Sequence, residues 1–71
     1  MSAPVSYYDM TLALIKGKIS DSALTRAAIA AGVGISVSTL RRKLAGESTL
    51  TVREIGSIAG VLGCKMSEIV A

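Results

Sequence analysis

The sequence predicts an all-α domain of five helices. Apolar residues recur at helical spacing, as in Tyr8, Leu12, Ile15 and Ile19, and no stretch alternates apolar and polar residues between hairpin turns. Hydroxyl residues and glycines fall where such helices would begin and end. The chain is 51% hydrophobic, yet its only aromatics are Tyr7 and Tyr8. Its core must therefore be built from Ile, Leu, Val, Ala and Met, which suit closely packed helices. With 71 residues and no linker rich in Pro, Gly or Ser, the chain has room for one modest core. Residues 1–71 read as a single unit, with 1–5 as a loose tail.

Each element has its own signals. Ser6 followed by Asp9 is a capping-box variant that opens a first helix over about Tyr7 to Lys18. Gly17 and the run Ser20-Asp21-Ser22 mark its end. The second helix starts between Ser20 and Thr25, because Ser20, Ser22 and Thr25 can each cap it. It passes through Ile29 and stops near Gly34, which suits a left-handed C-terminal position. Ser36 caps a third helix, which ends at Gly46. Thr51 and Glu54 form a capping box, and Leu50 and Ile55 are placed for a hydrophobic staple. The fourth helix then covers about Val52 to Leu62, with Ile55, Ile58, Ala59 and Leu62 inward, and ends at Gly63. Met66 to Val70 make a short last turn or helix. The expected core is Leu12, Ile15, Ile29, Ile35, Leu40, Leu44, Ile55, Ile58, Leu62 and Ile69. Gly56 and Gly60 either admit close packing by another helix or are tolerated weak points.

The net charge of +3, eight Lys and Arg against five Asp and Glu, is ordinary; its distribution is not. Arg41, Arg42 and Lys43 are consecutive, with no acid nearer than Glu47. A basic cluster on one short helix points to a polyanion, the plain alternative being a solvated helix face. Catalysis has little to draw on: the chain has no His, no acid pair at helical spacing and no metal-ligand cluster, so no enzyme, metal or cofactor is expected. Cys64, the single cysteine, has no disulfide partner in the chain and reads as a small buried hydrophobe in a reducing, cytoplasmic setting. Gly32-Val33-Gly34 follows no strand and precedes no lysine motif, so it is not a phosphate loop. Ala27 to Val37 is apolar but only about half the ~20 residues of a membrane crossing, and the N-terminus lacks the pattern of a signal peptide.

The block Ile29 to Gly46 reads I-A-A-G-V-G-I-S-V-S-T-L-R-R-K-L-A-G. Ala30, four residues before Gly34, sits where two helices cross closely; Gly34 makes the tight turn; Ile35 plugs the corner; Ser36 caps; Leu40 anchors. Those are the requirements of a helix-turn-helix, which holds its second helix proud of the surface. From Thr25 to Val70 the chain resembles the Cro/repressor (XRE-type) helix-turn-helix domains. The resemblance rests on Ile29-Ala30, Gly34-Ile35-Ser36, Ser38-Thr39-Leu40, Gly46, Ala59, Leu62-Gly63 and Glu68-Ile69. It implies a compact five-helix, lambda-repressor-like fold whose helices 2 and 3 form the motif. Arg26 and Val37 stand where that family often has Gln. Lys43 replaces a usual apolar residue, with Leu44 taking the anchor role, which leaves the tilt of helix 3 open.

At about 100° per residue, a face of Leu40 and Leu44 pointing inward turns Ser38 and Arg42 outward, with Arg41 on their flank. The resemblance presents the start of this helix to the bases, which makes Val37, Ser38, Arg42 and Arg41 the candidate base contacts. Arg26, Thr39, Lys43 and Arg53 are the candidate phosphate contacts, helped by the positive ends of helices 2 and 4. With no Asn or Gln in the chain, bidentate reading of adenine is missing. Arg for guanine, Ser for either base and Val for a thymine methyl remain.

The resulting expectation is a Cro-sized phage or bacterial repressor that inserts helix 3, about residues 37–45, into the major groove of a double-stranded DNA operator. An antitoxin-like or excision-accessory DNA-binding protein is the nearest alternative; a helical protein-interaction module without DNA binding is the alternative of another class. Met66, Ile69 and Val70 offer a short apolar strip, so a monomer or weak homodimer that pairs on DNA is expected. The competing possibility is that Ile69 packs into its own core and one chain binds an asymmetric site.

Overall fold

Each of the four α-helices begins on a side-chain oxygen that accepts a first-turn amide. In the computed structural model, which describes residues 6–70, the helices are α1 (Tyr7–Asp21), α2 (Arg26–Val33), α3 (Val37–Leu44) and α4 (Val52–Leu62). The residues expected to form a loose tail lie outside the described ones, and no strand occurs among the described residues. Ser6 Oγ accepts from Asp9 N at 3.0 Å, Thr25 Oγ1 from Ala28 N at 3.1 Å, Ser36 Oγ from Thr39 N at 3.1 Å and Thr51 Oγ1 from Glu54 N at 3.1 Å. Each bond satisfies one amide that the helix cannot reach itself. Thr25, and not Ser20 or Ser22, is therefore the cap that starts α2.

Two expectations on element ends are corrected. The first helix does not stop near Lys18; it runs through Gly17 to Asp21, and Ser22 ends it in extended backbone. Continuing buries Ile19 beside Leu12 and Ile15, and that burial outweighs the ~1 kcal/mol weakness of a mid-helix glycine. The last element is a single 3-10 turn, Met66–Glu68, in place of a fifth α-helix. It is fastened by Lys65 N donating to Glu68 Oε2 at 2.6 Å and by an ion pair of Glu68 with Lys18 at 3.6 Å.

Leu12, Ile15, Ile29, Leu40, Leu44, Ile55, Ile58 and Ile69 are buried as expected, and Ile19, Ala30, Leu50 and Ala59 join them. Ile35, Leu62 and Cys64 are half-buried against this cluster. The staple residues Leu50 and Ile55 share the core, and the Leu50 amide donates to the Tyr8 hydroxyl at 2.9 Å, tying α1 to the loop before α4.

α2 lies against both α3 and α4, most extensively α4. The crossing is tight at Gly32, where an added Cβ would collide with Val61 Cγ2. Gly56 faces Met66, whose Sδ would be 3.9 Å from an added Cβ, while Gly60 has open space. Ile69 is 0% exposed, so the apolar strip expected at the end of the chain loses its middle residue to the core. Met66 and Val70 remain exposed there.

Candidate nucleic-acid interface

The turn between α2 and α3 fixes how α3 stands. Gly34 has φ 85°, a left-handed conformation that a Cβ would strain. There its amide donates to Ala31 O at 3.2 Å, and the Ile35 amide donates to Ala30 O at 3.0 Å. Two end carbonyls of α2 are thereby satisfied while the chain reverses. Ile35 then packs against the core and Ser36 caps α3. At the far end of α3, the amide of Gly46 donates to Lys43 O and that of Glu47 to Arg42 O.

Leu40 and Leu44 are buried and root α3 by one edge. Because successive helical residues diverge by about 100°, the three adjacent cations leave α3 in three directions. Arg42 is exposed on the side opposite the leucines, together with Ser38. Arg41 is exposed on one flank, where it lines a cleft of about 240 Å³ with Lys16, Arg26, Leu44 and Ala45. Lys43 turns to the other flank, toward α4, and its ammonium lies 2.7 Å from both carboxylate oxygens of Glu54. The Lys43 and Glu54 side chains are only 14% and 15% exposed.

Glu54 serves two ends at once. Its Oε1 accepts from the Thr51 amide at 2.9 Å, closing the capping box of α4, while both oxygens hold Lys43. The Lys43 hydrogen bond, and after it the Thr51 amide, hold the Glu54 carboxyl below the usual range against the opposing effect of burial. The ion pair ties α3 to the first turn of α4 at the place where an apolar anchor was expected.

The other candidates fall as follows. Val37, in the first turn of α3, is half-buried and packs against the core edge. Thr39 is half-buried, and its Oγ1 lies 2.8 Å from Ser36 Oγ in a hydroxyl–hydroxyl bond. Arg26 and Arg53 are exposed in the first turns of α2 and α4, and only Arg26 lines the cleft. Arg42 and Arg53 form no ion pair with any described residue. Lys16 escaped the sequence reading. It is one residue from buried Ile15, and only the docking of that face decides which neighbours Lys16 meets.

The sequence model described as helix-turn-helix matches residues 22–69. The chain belongs to that helix-turn-helix family, of the Cro/repressor type. It is a DNA-binding regulator. The match takes in α2, α3, α4 and the 3-10 turn and leaves out α1. No curated protein and no solved structure gave a match. In this helix-turn-helix protein, α2 and α3 are the two helices of the motif. Among the described residues no group of His, Cys, Asp or Glu is placed to hold a metal ion, and no helix is long and apolar enough to cross a membrane.

Proposed function

We propose that this helix-turn-helix protein is a Cro-like transcriptional repressor that inserts α3 into the major groove of a double-stranded operator. The observation that carries the reading is the rooting of α3 by Leu40 and Leu44, which leaves Ser38 and Arg42 exposed together on the opposite side. A helix held by one edge with its polar edge free has the form that groove insertion needs. Arg42 reads a guanine through O6 and N7, Ser38 bonds an adjacent base, and Val37, at the start of α3, meets a thymine methyl. Arg26 and Arg53, each in the first turn of a helix, bind backbone phosphates. Thr39 and Lys43, engaged by Ser36 and Glu54, hold α3 in place. Repression follows from occupying the site that polymerase or an activator would use.

The test selects a binding site from random duplexes and compares it with random DNA across a range of salt concentrations. Arg42→Ala should cost roughly 1–3 kcal/mol on the selected site and relax one base pair, whereas Arg26→Ala should weaken both DNAs alike. Equal losses on both DNAs for Arg42→Ala would refute its role as a reader. With Ile69 in the core, the remaining pair of Met66 and Val70 falls well short of the ~800 Å² per partner of a stable interface. The free protein should therefore sediment as a monomer at micromolar concentration, and its stoichiometry on the selected site decides between pairing on two half-sites and one chain on an asymmetric site. A tight dimer without DNA would contradict this.

A further inference from the structure

We infer that Arg41 is not a base reader but one jaw of a three-cation clamp, with Lys16 and Arg26, that grips a single backbone phosphate of the bound duplex. The inference rests on the DNA-binding reading of α3 and names which phosphate-facing residues complete it.

Three helices each send one cation to this cleft: Lys16 from α1, Arg26 from the first position of α2 and Arg41 from α3. The rest of its lining, Leu44 and Ala45, carries no charge. None of the three cations forms an ion pair with a described residue. Two other cations are neutralised by acids, Lys43 by Glu54 and Lys18 by Glu68. The acids Asp21 and Glu68 line a different cleft, beside Lys18 at the ends of α1 and α4. Three like charges around one small concavity repel one another in the free protein, and an anion seated among them removes that repulsion.

The geometry separates Arg41 from its neighbour. Arg42 and Ser38 share the edge of α3 opposite the leucines, and Arg41 leaves the helix about 100° away. An inserted helix shows one edge to the base pairs and its flanks to the two backbones, so the Arg41 flank meets phosphate. A guanidinium fork pairs well with phosphate oxygens, and Arg26 and Lys16 supply the remaining charge.

Salt-dependent binding of Lys16→Gln, Arg41→Gln and Arg42→Gln, on the selected site and on random duplex, tests the clamp. All three positions are exposed, and unchanged thermal melts establish that the variants fold. Because one neutralised phosphate contributes about 0.9 to the slope of log affinity against log salt, Lys16→Gln and Arg41→Gln should each lower that slope by a part of about 0.9 and weaken both DNAs by the same factor. Arg42→Gln should instead shrink the ratio between them. A loss of discrimination at one base pair in Arg41→Gln, or an unchanged slope in Lys16→Gln, overturns the clamp while leaving DNA binding intact. Failure of the unmutated protein to bind any duplex would instead overturn the DNA-binding reading. Independently of DNA, inorganic phosphate at constant ionic strength should shift the Arg26 and Ala45 amide resonances. The Lys16→Gln/Arg41→Gln double variant should lose that shift, and no phosphate-specific shift in the unmutated protein also overturns the clamp.

Discussion

Gly32→Ala turns the packing of α2 on α4 into a question of sign. A mid-helix glycine in open space gains about 0.5–1 kcal/mol on replacement by alanine, because the unfolded chain loses freedom and the helix gains propensity. Gly17 and Gly60 are such positions, with nothing within 4 Å of an added Cβ. At Gly32 the new methyl would overlap Val61 Cγ2 and lie 3.5 Å from both Val61 Cβ and Cγ1. Val61 cannot yield easily: a helical valine is nearly confined to one χ1 rotamer, and this one packs against the core. Overpacking costs about 1–3 kcal/mol. Less the propensity gain, the net is a loss of about 0–2.5 kcal/mol, centred near 1, or several degrees of melting temperature in a domain of this size. Urea unfolding followed by circular dichroism should find Gly17→Ala and Gly60→Ala stabilised and Gly32→Ala destabilised. In a Val61→Ala background the methyl has room, and Gly32→Ala should there become stabilising. If Gly32→Ala alone raises stability as Gly17→Ala does, the close crossing is refuted.

The Lys43–Glu54 pair should contribute about 1–3 kcal/mol, between an exposed ion pair and a fully buried one. A double-mutant cycle with Lys43→Met and Glu54→Gln measures it, and a coupling near zero would show that the pair does not set α3. Because the folded Glu54 carboxyl titrates below its unfolded value, its contribution is complete above the unfolded value, near 4.5. It is lost as pH falls through the folded one. Acid unfolding of Glu54→Gln should accordingly be shallower than that of the unmutated protein. Glu68 titrates low for a similar reason, the Lys65 amide first and Lys18 second, so some acid sensitivity should persist in that variant. Leu40→Ala, at a fully buried root of α3, should cost roughly 2–5 kcal/mol; a loss below 1 kcal/mol by urea titration would mean that α3 is not anchored there.

The local grammar of this protein is legible in its residue order. Ser6, Thr25, Ser36 and Thr51 cap helices, Gly34 and Gly63 end them, and Leu40 and Leu44 face inward, because each of these features depends on contacts three or four residues apart. The joint spacing of the matched positions from Ile29 to Ile69 sufficed for the family. Where signals competed, local reading failed: Gly17 reads as a stop, yet Ile19 had a core to reach, and Met66–Glu68 closes as one 3-10 turn, with Ile69 drawn into the core. Tertiary structure alone decided what the charges do. Arg41, Arg42 and Lys43 are adjacent and chemically alike, so nothing in their order distinguishes a cleft, an open edge and an ion pair. Glu54 lies eleven residues beyond Lys43, and Lys16 twenty-five before Arg41. Such partners meet only after the apolar faces have docked, and a helix rotation of about 100° would exchange their roles. The apolar periodicity fixes which side of a helix goes inward; the packing angle between helices fixes which charge is left to meet DNA.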